Sequence, residues 1–227
     1  PALITGAIAD RMKFSSWIVF STAWLIVVYA PIAHWVFSPS GWLYKLGVED
    51  FAGGTVVEAN AGASAIAIAI VLGARKGWPR ESMRPHSVPF VILGAGILWF
   101  GWFGFNAGSA LAANETSAFA FVNTNIAGAA GLLGWMGWER YKNGHPTTLG
   151  AASGAIAGLV AITPSCGFIS PMASAFVGVA AGIVCASAIT LKHRVKIDDS
   201  LDVFGVHLVA GVLGTIFIGF VSINSYN

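Results

Sequence analysis

The sequence predicts an all-α fold, a polytopic membrane helix bundle, and three observations carry that prediction. Hydrophobic residues make up 56% of the 227 residues and charged ones 10%, with a mean hydropathy of +0.74. Such a chain has too little polar surface to cover a water-soluble globule, whereas lipid accommodates it. Seven stretches are apolar over roughly the 20 residues that a crossing requires, and none alternates in the two-residue rhythm of a barrel strand, so each must satisfy its own backbone as helix. The third observation is the placement of the basic loop residues, which tests the count of stretches independently.

In chain order, residues 1–9 read as the last turns of a span, and Asp10, Arg11 and Lys13 mark a water-facing loop. The seven longer stretches follow at roughly 14–37, 51–72, 88–110, 117–138, 147–163, 171–191 and 203–222. Arg11 and Lys13, then Arg75, Lys76, Arg80 and Arg84, then Arg140 and Lys142, then Lys192, Arg194 and Lys196 fall in alternate loops; Lys45 lies on the other side. Because cations collect on the cytoplasmic side, the first loop is expected inside and the terminal 222–227 outside. The external loops carry Glu49, Asp50 and Glu115, a mildly anionic face that would favour a cationic solute or, more plainly, solvated loop groups.

Gly62, the pair Gly94 and Gly96, Gly128 with Gly131, Gly150 with Gly154 and Gly158, and Gly178 with Gly182 read as points where helix backbones approach closely in lipid. The chain opens at Pro1 without a charged leader region, and we read it as a fragment carrying about seven complete transmembrane helices plus the end of one. A formal net charge of +2 suggests no nucleic-acid surface. Cys166 and Cys185 have no metal-ligand spacing and read as thiols in the helix core. An HExxH segment or a supported serine–histidine dyad is lacking, so an enzyme is not expected.

Two groups stand out in the apolar stretches. Glu58 lies inside a long apolar helix, where a carboxylate costs several kcal/mol and usually faces a cavity, a partner or a pathway. His207 sits well inside the last stretch. If the two share one pore they could share or pass a proton; the plain alternative is a glutamate satisfied by one helix partner and a histidine bonded to a carbonyl. Asp50 and Asp202 each open a span and can cap it. The aromatic run Trp99, Phe100, Trp102, Phe103 and Phe105 would either attract a desolvated cation and close a narrow pore, or face lipid.

Four segments, DFAGGTVVEANAG, WFGFNAGSALAANE with AFVNT, GAASGAIAGLVAITPSCGFI and DDSLDVFGVHLVAG, closely resemble the signature segments of the ammonium transporter family that includes Amt, Mep and Rh proteins, here of the bacterial Amt type. They occur in the family's order, and the resemblance runs from Pro1 to about Phe220. It implies part of an eleven-span inverted-repeat fold, with 1–227 a single ammonium transporter domain that starts at the end of the third span and stops after the tenth. It further implies a homotrimer in the plasma membrane with one pore per subunit, a cytoplasmic PII-type regulator, ammonium or ammonia as solute, and no cofactor.

Position by position, the resemblance places Asp50 beneath an outer ammonium site and gives Ser109 a part in receiving the ion. Phe37 falls where many members have a cation-binding tryptophan, with Trp35 as the alternative. Trp102 and Thr163 match residues that line or support the path, and Phe105 matches one of two stacked gate phenylalanines. His207 matches the second of the family's twin pore histidines, and Glu58 stands where the first is expected, as in some fungal members. The implied function is transport of ammonium through a hydrophobic pore; the alternative is an ammonium sensor domain of a signalling protein.

Overall fold

The computed structural model describes residues 1–81 and 83–222, and every regular element among them is helical. A 3₁₀ turn, Ala2–Ile4, runs into α1 (Thr5–Ile8), with Ile4 and Ala7 fully buried. The first long rod joins α2 (Phe14–Trp24), the π-helical turn π1 (Leu25–Tyr29) and α3 (Ala30–Phe37). Pro31 offers no N–H and its ring would crowd the carbonyl a turn earlier, so the ladder widens just before it. A short α4 (Trp42–Lys45) follows.

Next come π2 (Gly54–Ala59) continuing as α5 (Asn60–Leu72), then α6 (Val88–Gly108) and α7 (Glu115–Asn143). Asn114 and Ser117 form a reciprocal capping box at the start of α7, and Gly144, at φ 81°, ends it. The chain closes with α8 (Thr148–Ile162), α9 (Pro171–Ala188), the short α10 (Leu191–Val195), and π3 (Phe204–Leu208) continuing as α11 (Val209–Val221).

Among the described residues, five stretches are long and apolar enough to cross a membrane: Phe14–Lys45, Gly54–Leu72, Val88–Gly108, Pro171–Val195 and Phe204–Val221. The other two expected stretches are also helices, with their own features. α7 has 29 residues but carries Glu115, Glu139, Arg140 and Lys142 at its ends. α8 has 15 residues, and at ~1.5 Å per residue it falls short of the ~30 Å hydrocarbon core. It is instead the most enclosed helix, with Ala157, Leu159, Val160, Ala161 and Ile162 fully buried.

Glycine decides how closely these rods approach. A Cβ on Gly131 would strike the Gly154 carbonyl, one on Gly182 the Gly131 carbonyl, and one on Gly158 or Gly178 the Ala127 carbonyl. α7, α8 and α9 therefore meet backbone to backbone. The second crossing sets π2–α5 against π3–α11: a Cβ on Gly62 would lie 2.5 Å from Leu208, and one on Gly211 3.0 Å from the Cβ of Glu58. Gly94 and Gly96 depart from the sequence reading, since no described residue lies within 4 Å of a Cβ at either position. They sit on α6, most of which is uncovered among the described residues, and at two residues apart they point to different sides of the helix, unlike the contact glycines three or four apart.

The loops predicted to share a face do so. Arg11, Arg75, Arg84, Glu139 and Lys192 line one basin of about 1590 Å³. The terminal segment expected on the opposite face lies, beyond Ser222, outside the described residues. In the complete protein, Gly62→Val should lower stability by about 1–3 kcal/mol through overpacking, while Gly94→Ala should change it by no more than about 0.5 kcal/mol. Thermal unfolding midpoints in detergent check both.

Candidate functional site

Asp50 organises the outer end of the site. Its carboxylate accepts the backbone N–H groups of Gly53 at 2.9 Å, Gly54 at 2.6 Å, Thr55 at 2.8 Å and Val56 at 3.3 Å, so it serves the orphan donors that begin π2. The chain turns into this cap through Gly53, whose φ of 112° belongs to glycine. Burial pushes the Asp50 carboxyl above its ordinary range while the four amide bonds pull it down. It is a structural cap, 7% exposed, and not a solvated loop charge.

Two turns further on, Glu58 is fully buried, and its Oε2 lies 2.7 Å from Nδ1 of His207, which is 9% exposed. The other carboxylate oxygen, Oε1, has no partner among the described residues. Both groups sit in π-helical turns, which often mark functional positions because the wider ladder re-aims a side chain. An acidic cap precedes each by eight residues, Asp50 before Glu58 and Asp199 before His207. Asp199 Oδ2 accepts the Phe204 N–H at 2.6 Å. Asp202, expected to cap this span, does not: at φ 60° it turns its Oδ1 to Lys192 Nζ at 2.6 Å. With the lysine to hand an ion pair wins, and Asp199 takes the cap.

A second cluster lies beside the Asp50 cap. Trp102, 3% exposed, donates Nε1–H to Thr163 Oγ1 at 3.0 Å, and Thr163 donates to the Leu159 carbonyl at 2.8 Å. The Thr163 and Pro164 carbonyls accept the Ala52 and Phe51 N–H groups at 3.3 and 2.9 Å, which ties Trp102 to the cap segment. Phe105 packs edge-on against Trp102, centroids 5.8 Å apart, and Ser109 donates its hydroxyl to the Phe105 carbonyl at 2.8 Å.

The structure thus brings Asp50, Trp102, Phe105, Ser109 and Thr163 into one region and Glu58 and His207 into direct contact. Trp35 and Phe37 stand differently. Trp35 packs against Trp42, centroids 6.2 Å apart, and Phe37 remains 41% exposed. Among the described residues no hydrogen bond or ring contact sets either against Phe105 or Ser109. The aromatic run divides: Phe100 is exposed, while Trp99 and Phe105 join the core beside Trp102. Cys166 and Cys185 are free, buried thiols in the same core.

Sequence reasoning missed two sets of residues. Asn106 and Asn123 are fully buried, Asn106 donating to Thr124 Oγ1 at 3.0 Å and Asn123 to the Cys166 and Ile169 carbonyls at 2.8 Å. Amides inside apolar runs were the available signal. The second set is Asp198, 2% exposed, whose two oxygens accept Arg75 Nη2 at 2.8 Å, Nε at 2.9 Å and backbone N–H at 2.7 Å, with Arg11 Nη1 at 3.7 Å.

These features define a membrane-embedded helix bundle with a buried acid–imidazole pair and an aromatic, hydroxyl-bearing cluster beside an acidic cap. A model of the Ammonium Transporter Family matches residues 1–227. The chain is 55% identical over 226 residues to an ammonium transporter of Mycobacterium tuberculosis, covering 96% of this chain and 47% of that one. It is 47% identical over 230 residues to ammonium transporter Amt1 of Archaeoglobus fulgidus, covering 99% and 58%. The crystal structure of Candida albicans Mep2 superposes with a TM-score of 0.92 at 40% identity, covering 98% of this chain and 50% of that one. A structure named Sensor Amt Protein superposes at 0.90 with 35% identity, covering 99% and 58%. The chain belongs to the Ammonium Transporter Family. It spans about half the length of the curated relatives it matches, which are named as transporters and not as enzymes.

Two measurements check the caps and the ion pair. Asp50→Ala should destabilise the complete protein by about 2 kcal/mol and Asp50→Asn by less, because the amide keeps one acceptor. Burial raises the Asp198 carboxyl, but the hydrogen bonds and charge of Arg75 outweigh this and hold it below the ordinary range. A carboxyl whose folded value is depressed stabilises fully above its unfolded value and loses that contribution as pH falls through the folded one. Below about pH 5 the unfolding midpoint of the wild type should therefore fall more steeply than that of Asp198→Asn.

Proposed function

We propose that the protein transports ammonium across the plasma membrane, and that Glu58 and His207 form the acceptor pair of its pore. The observation that carries this reading is the 2.7 Å contact between the two side chains, made by a fully buried carboxylate that keeps Oε1 unpartnered. A bare ammonium ion crosses an apolar interior at high cost, so either a proton leaves it or a row of acceptors replaces its water. With Nδ1–H donating to an ionised Glu58, Nε2 of His207 keeps its lone pair, so Nε2 and Oε1 supply two such acceptors in sequence. Were Nε2 to take up a proton, Nδ1 would release its own to Oε2 of Glu58, which would then donate back to Nδ1, so that the pair passes a proton along one hydrogen bond.

At the outer end the ion is received by aromatic faces and Ser109, above the Asp50 cap, and sheds its water beyond Phe105. Phe37 or Trp35 supplies a ring there once the mouth is completed by the rest of the protein. Trp102 and Thr163 support the path by fixing one another and the cap segment. Residues 1–227 act as one domain of an eleven-span homotrimer, with a PII-type regulator meeting the basic face. Sensing is the second reading, favoured by the likeness to the Sensor Amt Protein. The 55% identity to a named transporter favours transport.

Methylammonium uptake by the complete protein in liposomes tests the proposal. Glu58→Gln should slow uptake about tenfold or more and change its pH dependence, and Glu58→His should shift the rate without abolishing it. Uptake by Glu58→Leu indistinguishable from wild type across pH would contradict the acceptor role.

A further inference from the structure

We infer that Asp198, clamped by Arg75 and Arg11, is a positioning residue that sets the axial register of His207 against Glu58. The inference rests on the reading of those two residues as the pore pair. Lateral spacing at their crossing is already fixed by Gly62 against Leu208 and Gly211 against Glu58. Such contacts keep two rods close but resist sliding along their axes poorly, because small residues present smooth surfaces. Register needs a tie between rod ends.

The basic face provides it. Arg75 follows the end of α5, the rod that carries Glu58, and holds both oxygens of Asp198 through Nε, Nη2 and its own backbone N–H. Asp198 adjoins Asp199, whose carboxylate caps Phe204, the first residue of π3, three positions before His207. One short path of hydrogen bonds and adjoining residues therefore runs from the end of one pore rod to the start of the other. Planar guanidinium against carboxylate fixes angle as well as distance.

Arg11 widens the tie. Besides Asp198 Oδ2, its guanidinium reaches the Gly73 and Ala7 carbonyls, the Asp198 carbonyl at 2.7 Å and Ser200 Oγ at 3.3 Å. Leu201 donates its N–H to the Gly6 carbonyl at 3.0 Å, so the loops around residues 6–11, 73–75 and 198–204 form one block. For solvated loops joining separate spans, so dense a network exceeds what covering the helix ends requires. It accounts for a carboxylate 2% exposed, held by Arg11 and Arg75, which line a charged basin.

The test uses the complete protein, as wild type, Asp198→Asn and Arg75→Lys, with methylammonium uptake in liposomes and structures in lipid nanodiscs. Both variants should lower maximal uptake about tenfold with half-saturation changed by less than about twofold, since the outer residues are untouched. In the variant structures the His207 Nδ1 to Glu58 Oε2 separation should lengthen beyond hydrogen-bonding distance. A retained 2.7 Å contact, with only the unfolding midpoint lowered, would overturn the inference. Arg75→Lys keeps the charge but loses the fork, and decides the matter if Asp198→Asn does not fold. Wild-type protein without uptake would contradict the transport reading, while the separation would still decide the tie.

Discussion

A buried carboxylate bonded to a buried imidazole is the interaction on which the other features of this structure converge. Glu58 has no exposed surface, and a charge so placed is tolerable only with a partner held at hydrogen-bonding distance. Holding it there constrains two rods that belong to distant parts of the chain, 149 residues apart in sequence. The glycines at 62 and 211, the π-helical turns at both positions and the acidic caps eight residues before each can all be understood as requirements of that one contact.

The caps explain how a widened helical turn persists in an apolar setting. A π turn leaves backbone groups in poorer register than an α turn, and lipid supplies no water to compensate. Asp50 meets four N–H groups at the start of π2, and Asp199 meets the Phe204 N–H at the start of π3. The outer cap is in turn bonded to the segment at Thr163 and Pro164, which carries Trp102 and through it Phe105. Aromatic cluster and pore pair thus share one support, so a change at Asp50 would be felt at both.

Much of this was legible in the sequence because membrane spans are written in long, low-charge runs, and a lone Glu58 or His207 in such a run is conspicuous. Asp50 could be placed as a cap because an aspartate at the start of an apolar span readily takes that role. Asp202 could not be separated from Asp199 in the same way: three aspartates lie within five residues, and the choice depends on where Lys192 reaches and on a left-handed backbone at Asp202. Gly94 and Gly96, two residues apart on the helix, lack the three- or four-residue spacing of the contact glycines, and no described helix faces them. Asp198 looked like any loop carboxylate because its partner Arg75 is 123 residues away. α8 is shorter than the apolar stretch 147–163 that contains it and is enclosed by other helices, which hydropathy alone does not reveal.

The central claim is that Glu58 meets the solute while bonded to His207. Infrared difference spectra of the complete protein, recorded with and without ammonium, test it most directly. The account predicts a carboxyl or carboxylate band that responds to ammonium and disappears in Glu58→Gln. An ammonium response identical in wild type and Glu58→Gln would contradict it.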